Sequence, residues 1–470
     1  MAGFLVRPLS RVPFLFIVGR MYGDAAFGRL VFAVGLFEAA AAFARLGVRD
    51  TLFRFLAENA DDPQGAIVDA AVLTTGLAVL TSAAVVAGTL LVPADLGSAE
   101  LWSALRAIAP LLPVFVLTDV LLAATRSERA VVYEVTARSL VEPALVTLGA
   151  AALGAMGRAS GLLEAYAVAQ VAALTVAVVG VGRLLSWRRL SWPNWARMRR
   201  YAASSAPTGF ADCMNLAFLA TGTVAVGHFG GPAAVGVYGM ALNLETALSK
   251  IRQAFDMIVV PVVSQSLAQR SAEVTAQLRD IGRWVLNAQL PVLAIFVLFG
   301  DLLLGLFGRD FAAGGTVLAW LGLAAVIDGA LNLAQVPLYL QRPKTNFLIA
   351  LLALALHAAL SCVLVPRFGA VGAGISMSAT LALAGIMRQA AARRLLGQWL
   401  VDLRMLRPVV AAGIGFGIAA LIAALVERSI GGRLIGGAGF LVAYAVVAIA
   451  LDADLRRRLT ATAKKRLSLA

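Results

Sequence analysis

The sequence is poor in charge, histidine and cysteine. Only 14% of its 470 residues are charged, whereas about a quarter are charged in an average soluble domain. The chain has two cysteines, Cys213 and Cys362, which exclude a disulfide framework. Its two histidines, His228 and His357, lack partners at metal-ligand spacing, as do the cysteines. Hydrophobic residues make up 60% of the chain. This composition predicts a polytopic membrane protein without a metal or another cofactor.

Apolar residues form runs long enough to cross the hydrocarbon core of a bilayer, which takes about 20 residues. The run from Phe4 to Val18 is shorter and is interrupted by Arg7, Pro8 and Arg11, so we expect an abbreviated first helix. The longer runs lie at residues 25–45, 66–92, 103–124, 131–154, 162–185, 204–227, 234–262, 284–307, 315–338, 346–366, 369–391, 408–426 and 433–451. Together they predict an all-α fold with about 14 transmembrane helices.

Arginine and lysine are distributed unequally between alternate loops. With the N-terminus inside, the cytoplasmic loops and the C-terminal tail hold 27 of these residues and the external loops hold 7. The positive-inside rule therefore places both termini in the cytoplasm. The net charge of +14 reflects topology rather than nucleic-acid binding. We interpret the Arg- and Trp-rich segment from Arg183 to Tyr201 as a connector that lies on anionic membrane lipid.

The first six predicted helices resemble the next six. Phe27-Gly28 opens the second helix and matches Val235-Gly236, which opens the eighth, at an offset of 208 residues. Because each repeat has an even number of spans, both enter the membrane in the same sense, which predicts two lobes around a central cleft, as in transporters. The predicted division is an N-lobe at 1–185, a basic connector at 186–203, a C-lobe at 204–395, a basic loop at 396–407, and a final helix pair with a basic tail at 408–470.

Two predicted helices carry charges at matching positions. One stripe consists of Glu38, Ala42, Arg45 and Arg49, and its repeat, 207 residues later, of Glu245, Ser249, Arg252 and Asp256. A charged side chain in hydrocarbon costs about 2.5 to 3.5 kcal/mol, so each stripe is expected to face protein or a water-filled cavity. The alternative interpretation is an ion pair within each stripe, or snorkelling at the helix ends.

Other ionisable residues also fall within predicted spans. Asp119 in the fourth span and Asp328 in the tenth occupy matching helices, where they line the cavity or carry a coupling ion. The alternative for Asp119 is a solvated position near the cytoplasmic edge. Arg138 and Glu142 are four residues apart and are expected to pair with each other.

Several short motifs resemble those of a known family. They are Gly19-Arg20-Met21-Tyr22-Gly23, Phe27-Gly28, Arg45-Leu46-Gly47-Val48-Arg49-Asp50, Leu52-Phe53-Arg54-Phe55-Leu56, Phe368–Ile375 and Arg393-Arg394. Their order resembles that of the Wzx-type polysaccharide-biosynthesis flippases, a branch of the multidrug/oligosaccharidyl-lipid/polysaccharide (MOP) superfamily. The abbreviated first helix departs from that pattern.

The resemblance implies a bacterial inner-membrane protein that is not an enzyme. It implies that the protein moves an oligosaccharide linked to undecaprenyl pyrophosphate from the cytoplasmic to the outer leaflet, by alternating access. Arginine binds phosphate groups in a bidentate manner. Arg45 and Arg252 are therefore the leading candidates for contact with the pyrophosphate, and Arg20 and Arg54 follow.

The acidic residues near these arginines suggest how transport is driven. Glu38 and Glu245 would orient the arginines or take up a proton, and Asp256, Asp119 and Asp328 are further cavity or coupling candidates. H⁺ or Na⁺ would then be the coupling ion. The alternative is that the membrane potential drives transport without a coupling ion. It assists outward movement of an anion by about 2.3 kcal/mol per charge per 100 mV.

Two other functions within the superfamily remain open, a lipid II flippase and a cation-coupled drug extruder. A membrane glycosyltransferase would need a large extramembrane loop with paired carboxylates, yet loops here do not exceed about 25 residues and the pair Asp61-Asp62 lies in a short turn. A major-facilitator carrier is disfavoured because the Gly-x-x-x-Asp-Arg-x-Gly-Arg loop between the second and third spans is missing.

Overall fold

A computed structural model describes residues 2–91, 98–184, 192–268, 273–425 and 430–451 of the protein. Over these residues the chain is helical and has no strand. Its α-helices are α1 (Ala2–Met21), α2 (Gly23–Arg45), α3 (Val48–Glu58), α4 (Pro63–Leu91), α5 (Ala99–Ile108), α6 (Leu112–Ser127), α7 (Val132–Val135), α8 (Glu142–Ala155), α9 (Gly161–Leu184), α10 (Trp195–Ala268), α11 (Glu273–Gly305), α12 (Gly315–Leu331), α13 (Gln335–Gln341), α14 (Pro343–Phe368), α15 (Ala370–Leu396), α16 (Leu406–Leu425) and α17 (Ile430–Leu451).

Within the described ranges, 11 of these helical segments are long and apolar enough to cross a membrane. Helices suit this role because they satisfy their own backbone hydrogen bonds in lipid. Three pairs of short helices each form one longer helical segment. A tighter, 3₁₀ turn joins α5 to α6 and α12 to α13, and a wider, π-helical turn joins α7 to α8. The all-α membrane fold is thereby confirmed, whereas the count of 14 spans stays a prediction.

The 61-residue segment Trp195–Phe255 counts as one of the 11 but contains two helices. A continuous α10 of 74 residues would be about 110 Å long, several times the thickness of a bilayer core. Gly231 breaks it with φ 74° and ψ −173°, a conformation that glycine adopts without steric strain. The break lies between the predicted seventh and eighth spans.

The chain forms two compact units. Unit 1 consists of Met1–Met240, Gly305–Phe311 and His357–Ala373, and unit 2 consists of Ala241–Leu304, Ala312–Leu356 and Gly374–Ala470. In unit 1, α6 packs against α4 and α9, and α2 packs against α5. In unit 2, α16 packs along α17. The lobe boundaries expected from the sequence repeat stay a prediction.

The expectation of an abbreviated first helix is wrong. Helix α1 is continuous over 20 residues and includes Pro8. Membrane helices tolerate proline because neighbouring groups and small backbone adjustments satisfy the freed carbonyl. Arg11 is exposed, and the side chain of Arg7 lies outside the described part.

An additional amphipathic helix, α3, follows α2 in the segment where the sequence predicted only a loop. Its buried face carries Leu52 and Phe55, and the Phe55 ring stacks on Tyr201 with 3.9 Å between centroids. Tyr201 belongs to the start of α10, in the predicted basic connector. Nearby, Arg197 pairs with Asp69, which is fully buried at the start of α4. Part of the connector is therefore anchored to unit 1, and Arg197 does not serve as a lipid contact.

The matching fourth and tenth spans both contain a 3₁₀ segment. It covers Ala109–Leu111 between α5 and α6, and Asn332–Ala334 between α12 and α13. Pro113 lies four residues after Ala109, and Pro337 lies four residues after Leu333. Neither proline has an N–H to complete the α-helical ladder. The carbonyl of Ala109 accepts instead from the backbone N–H of Leu112 and from the Ser82 hydroxyl of α4, the latter at 2.8 Å. The sequence therefore favours a 3₁₀ turn at both positions.

The two glycines that open matching helices of the repeat meet within unit 1. A Cβ on Gly28 would lie 1.8 Å from the carbonyl oxygen of Pro232, and one on Gly236 would lie 2.0 Å from that of Asp24. Neither position has room for a methyl group. The start of α2 and the part of α10 after Gly231 thus cross with their backbones in contact.

We expect Gly28→Ala to lower the thermal stability of the purified protein, because overpacking of this kind costs about 1 to 3 kcal/mol. Gly35→Ala is the matched control, since it lies on the same helix and its Cβ would have nothing within 4 Å. Thermal unfolding in detergent measures the difference. Equal melting temperatures for both variants would show that the crossing is looser than described.

Candidate functional site

An ion pair joins two membrane helices in unit 1. Nη1 of Arg45, the last residue of α2, lies 2.6 Å from Oδ2 of Asp119 on α6. Arg45 ends its helix because Leu46 and Gly47 take left-handed backbone conformations, with φ 48° and 70°. A cation at a helix C-terminus is stabilised by the helix dipole. Asp119 is only 7% exposed, so the alternative of a solvated position near the cytoplasmic edge is wrong.

A second arginine contacts the other oxygen of the same carboxylate. Nη2 of Arg138 lies 2.6 Å from Oδ1 of Asp119, and its Nη1 lies 2.8 Å from Oε2 of Glu142. The expected pairing of Arg138 with Glu142 is confirmed. Gln170 of α9 is fully buried and donates to Oε1 of Glu142 at 3.1 Å. Asp119 therefore lies between two guanidinium groups and is fixed by both.

Phe115 packs against both guanidinium groups. Its ring centroid is 5.7 Å from Cζ of Arg45 and 4.6 Å from Cζ of Arg138. Cation–π contacts in a desolvated setting contribute about 2 kcal/mol. Phe115 is itself only 8% exposed, so both contacts lie inside unit 1.

Arg138 projects from an unusual turn. Residues Thr136–Val141 form a π-helical turn between α7 and α8, and Pro143 is the second residue of α8. Pro143 cannot donate to the carbonyl of Ser139, which favours the wider turn. Such turns occur mostly as single insertions, frequently at functional sites.

Unit 2 contains the corresponding ion pair. Nε of Arg252, on α10, lies 2.8 Å from Oδ2 of Asp328 on α12, and each side chain is 23% exposed. Arg252 follows Arg45 by 207 residues and Asp328 follows Asp119 by 209. Each repeat therefore joins its second helix to its fourth by one Arg–Asp pair, and each pair is contained within one unit.

The two glutamates of the predicted stripes have different surroundings. Glu245 is 7% exposed, and its Oε1 accepts a hydrogen bond of 2.5 Å from the Ser249 hydroxyl. It also lies close enough to Asp328 to interact electrostatically. Glu38 is half-buried and interacts electrostatically with Tyr166 of α9. Arg45 and Arg252 each contact an aspartate on another helix.

The other predicted site residues lie elsewhere. Arg20 is exposed at the end of α1, with its Cζ 5.7 Å from the Phe16 ring centroid. Arg54 is exposed on α3, 3.5 Å from Glu58 and within hydrogen-bond distance of the Ser204 carbonyl. Neither arginine joins the Arg45 cluster. The side chains of Asp256 and Arg49 lie outside the described residues.

Sequence reasoning missed several buried cations, and Arg388 is the one that lies near the Arg252 pair. Arg388 was counted with the cytoplasmic loops, but it lies within α15 and is 8% exposed. Its Nη1 donates to Oδ1 of Asn332 at 2.5 Å and its Nε to Oδ1 of Asn346 at 3.3 Å. The signal was available, because Arg388 lies before Arg393-Arg394, where the chain was expected to leave the membrane.

Comparison with solved structures shows the class of protein that has this fold. The inward closed conformation of the lipid II flippase MurJ matches with a TM-score of 0.76 at 12% identity, over 97% of this chain and 99% of that one. An inward-facing multidrug MATE transporter of the MOP superfamily matches with a TM-score of 0.67 at 14% identity, over 84% and 98%. The outward-facing conformation of a multidrug MATE transporter gives 0.56 at 15% identity, over 84% and 93%. The protein therefore has the fold of the MOP superfamily of membrane transporters.

The family follows from the sequence itself. The model of the polysaccharide biosynthesis protein family matches residues 1–267, more than half of the chain. The chain belongs to this family, and the resemblance inferred from its motifs is confirmed. No curated protein matches the chain.

Proposed function

We propose that the protein is a flippase that moves an oligosaccharide linked to undecaprenyl pyrophosphate from the cytoplasmic to the outer leaflet of the bacterial inner membrane, for surface-polysaccharide assembly. Alternating access is the proposed mechanism. The observation that carries the proposal is the repeated Arg–Asp pair, Arg45 with Asp119 and Arg252 with Asp328, within membrane helices. A helix can span a bilayer without an ion pair, so spanning does not explain either pair. Each pair places a guanidinium group among the membrane helices.

Paired arginines suit a substrate that passes through the protein and leaves again. An arginine held by one aspartate is neutralised while the substrate is absent, which lowers the cost of burying its charge. A pyrophosphate that approaches such an arginine exchanges one set of charge-assisted hydrogen bonds for another. Binding is then strong enough to select the anion without trapping it.

The structural similarities support a lipid flippase more than a drug extruder. The lipid II flippase covers 97% of the chain, so the final helix pair α16–α17 has a counterpart there, whereas the MATE transporters cover about 84%. In unit 2 this pair is anchored by Arg433, whose guanidinium contacts both oxygens of Asp301 on α11 at 2.7 and 2.8 Å. We propose that the pair shapes a surface for the lipid carrier.

Leaflet-resolved measurement of lipid-linked sugars in cells that lack the protein tests the proposal. We expect the polysaccharide precursor to accumulate on the cytoplasmic side. Accumulation of lipid II on that side would instead identify a flippase for the peptidoglycan precursor. Normal distribution of both lipids, with increased sensitivity to cationic drugs, would identify an extruder.

Glu245 is the proposed site of proton uptake, since it is buried and its hydrogen-bond donor is the neutral Ser249. Glu245→Gln imitates the protonated form. We expect the export rate of this variant to lose the pH dependence of the wild type. Glu38→Gln serves as the comparison from the other repeat. Parallel pH profiles for wild type and Glu245→Gln would exclude proton coupling through this residue.

A further inference from the structure

The two repeat-related clusters differ in how their second arginine is held. In unit 1, both Arg45 and Arg138 contact the carboxylate of Asp119, and Arg138 also contacts Glu142. In unit 2, Arg252 contacts Asp328, while the hydrogen-bond acceptors of Arg388 are two asparagine amides. We call Arg45, Asp119, Arg138 and Glu142 cluster 1, and Arg252, Asp328, Arg388 and the two asparagines cluster 2. Both arginines of cluster 1 contact a carboxylate, whereas in cluster 2 the contacts given for Arg388 among the described residues are to amide oxygens.

Arg388 is held firmly but is only partly neutralised. It is 8% exposed, and Asn332, which accepts its shortest hydrogen bond, is fully buried. Asp328 lies one helical turn from Asn332 and interacts with Arg388 electrostatically, but its direct partner is Arg252. A buried cation without a carboxylate in contact is expensive unless an anion joins it. The amides orient the guanidinium group and leave its charge available.

We propose that Arg388 is an anion-binding residue for the phosphate groups of the lipid-linked substrate, acting together with Arg252 in cluster 2. The proposal rests on the proposed function and deepens it, because it assigns phosphate recognition to one unit rather than equally to both. Asn332 and Asn346 act as positioning residues that present the guanidinium group of Arg388. In cluster 1, by contrast, both arginines contact a carboxylate, so neither is held by neutral groups alone.

Binding of farnesyl pyrophosphate by the purified full-length protein in detergent tests the proposal. Farnesol is the uncharged control, and inorganic pyrophosphate is the control without a lipid chain. We expect Arg388→Gln to weaken binding of farnesyl pyrophosphate by about tenfold to a hundredfold, the value of one charge-assisted contact. Binding of farnesol should not change. Arg393→Gln is the matched control, since this residue of the same helix is exposed and lies over the Trp399 ring.

A second variant keeps Arg388 but neutralises its charge, so that the guanidinium group is no longer available to an anion. Asn332→Asp places a carboxylate where the amide oxygen now lies, 2.5 Å from Nη1 of Arg388. We expect a similar loss of affinity for farnesyl pyrophosphate without a loss of thermal stability. This outcome would separate anion binding from a structural role, because a structural arginine would be satisfied by the new carboxylate.

The possible failures are distinguishable. Wild-type protein that binds farnesyl pyrophosphate no better than farnesol contradicts the proposed function itself. A wild-type preference for the pyrophosphate that survives both Arg388→Gln and Asn332→Asp overturns only the role of Arg388. Equal affinity for inorganic pyrophosphate and farnesyl pyrophosphate, lost in both variants, supports the anion site and identifies a soluble phosphate as its ligand.

Discussion

Arg45→Ala and Arg252→Ala are each expected to abolish complementation of a surface-polysaccharide export defect while the protein stays in the membrane at near wild-type abundance. The fold should survive because neither substitution leaves an isolated buried carboxylate. Without Arg45, Asp119 still contacts Arg138 at 2.6 Å. Without Arg252, Asp328 still interacts with Arg388. The loss should therefore fall on transport.

Matched controls separate the site from general effects of removing an arginine. Arg29→Ala lies on α2 with Arg45, and its partner is the exposed Glu100 at 2.9 Å. Surface ion pairs of this kind contribute about 0 to 1 kcal/mol. We expect Arg29→Ala to export normally. Full export by both Arg45→Ala and Arg252→Ala, at normal abundance, would remove these residues from the mechanism.

Asp119→Ala is expected to have the largest effect on stability. It would leave Arg45 and Arg138 buried side by side without their shared carboxylate. Removal of one partner of a buried ion pair destabilises a protein by about 3 to 5 kcal/mol. Cellular abundance and the melting temperature of the purified protein should both fall sharply.

Asp328→Ala provides the comparison from the other repeat. Arg252 and Asp328 are each 23% exposed, so water can partly replace the lost carboxylate. We expect a smaller fall in melting temperature than for Asp119→Ala. Similar losses in both variants would show that burial does not distinguish the two clusters.

The sequence predicted the class of fold because composition and periodicity are local properties. Runs of about 20 apolar residues and the 207-residue repeat of the charged stripe required no tertiary information. The same reasoning identified Arg45 and Arg252 as unusual. It also placed Asp119 and Asp328 in matching helices, although it did not pair them with those arginines.

The ion-pair partners of the charged residues were harder to predict than the helices on which these residues lie. The choice between a pair within a stripe and a pair between helices depends on how α2 faces α6, which a single sequence does not encode. Arg388 was missed for a related reason. A charge near a helix end looks like a loop charge unless the packing of α15 against its neighbours is known. The first helix was misjudged because Pro8 interrupts the pattern without ending the helix.

The shared carboxylate also has a consequence for biogenesis. The segment Val132–Ala155 brings Arg138 and Glu142 into the predicted fifth span. Asp119 leaves the ribosome after Arg45 and before Arg138. Each of these charges would enter the bilayer at a cost of about 2.5 to 3.5 kcal/mol if it were alone. Pairing with Asp119 lowers that cost for the later helix. Membrane insertion of Val132–Ala155 should thus depend on helix α6 being already in place.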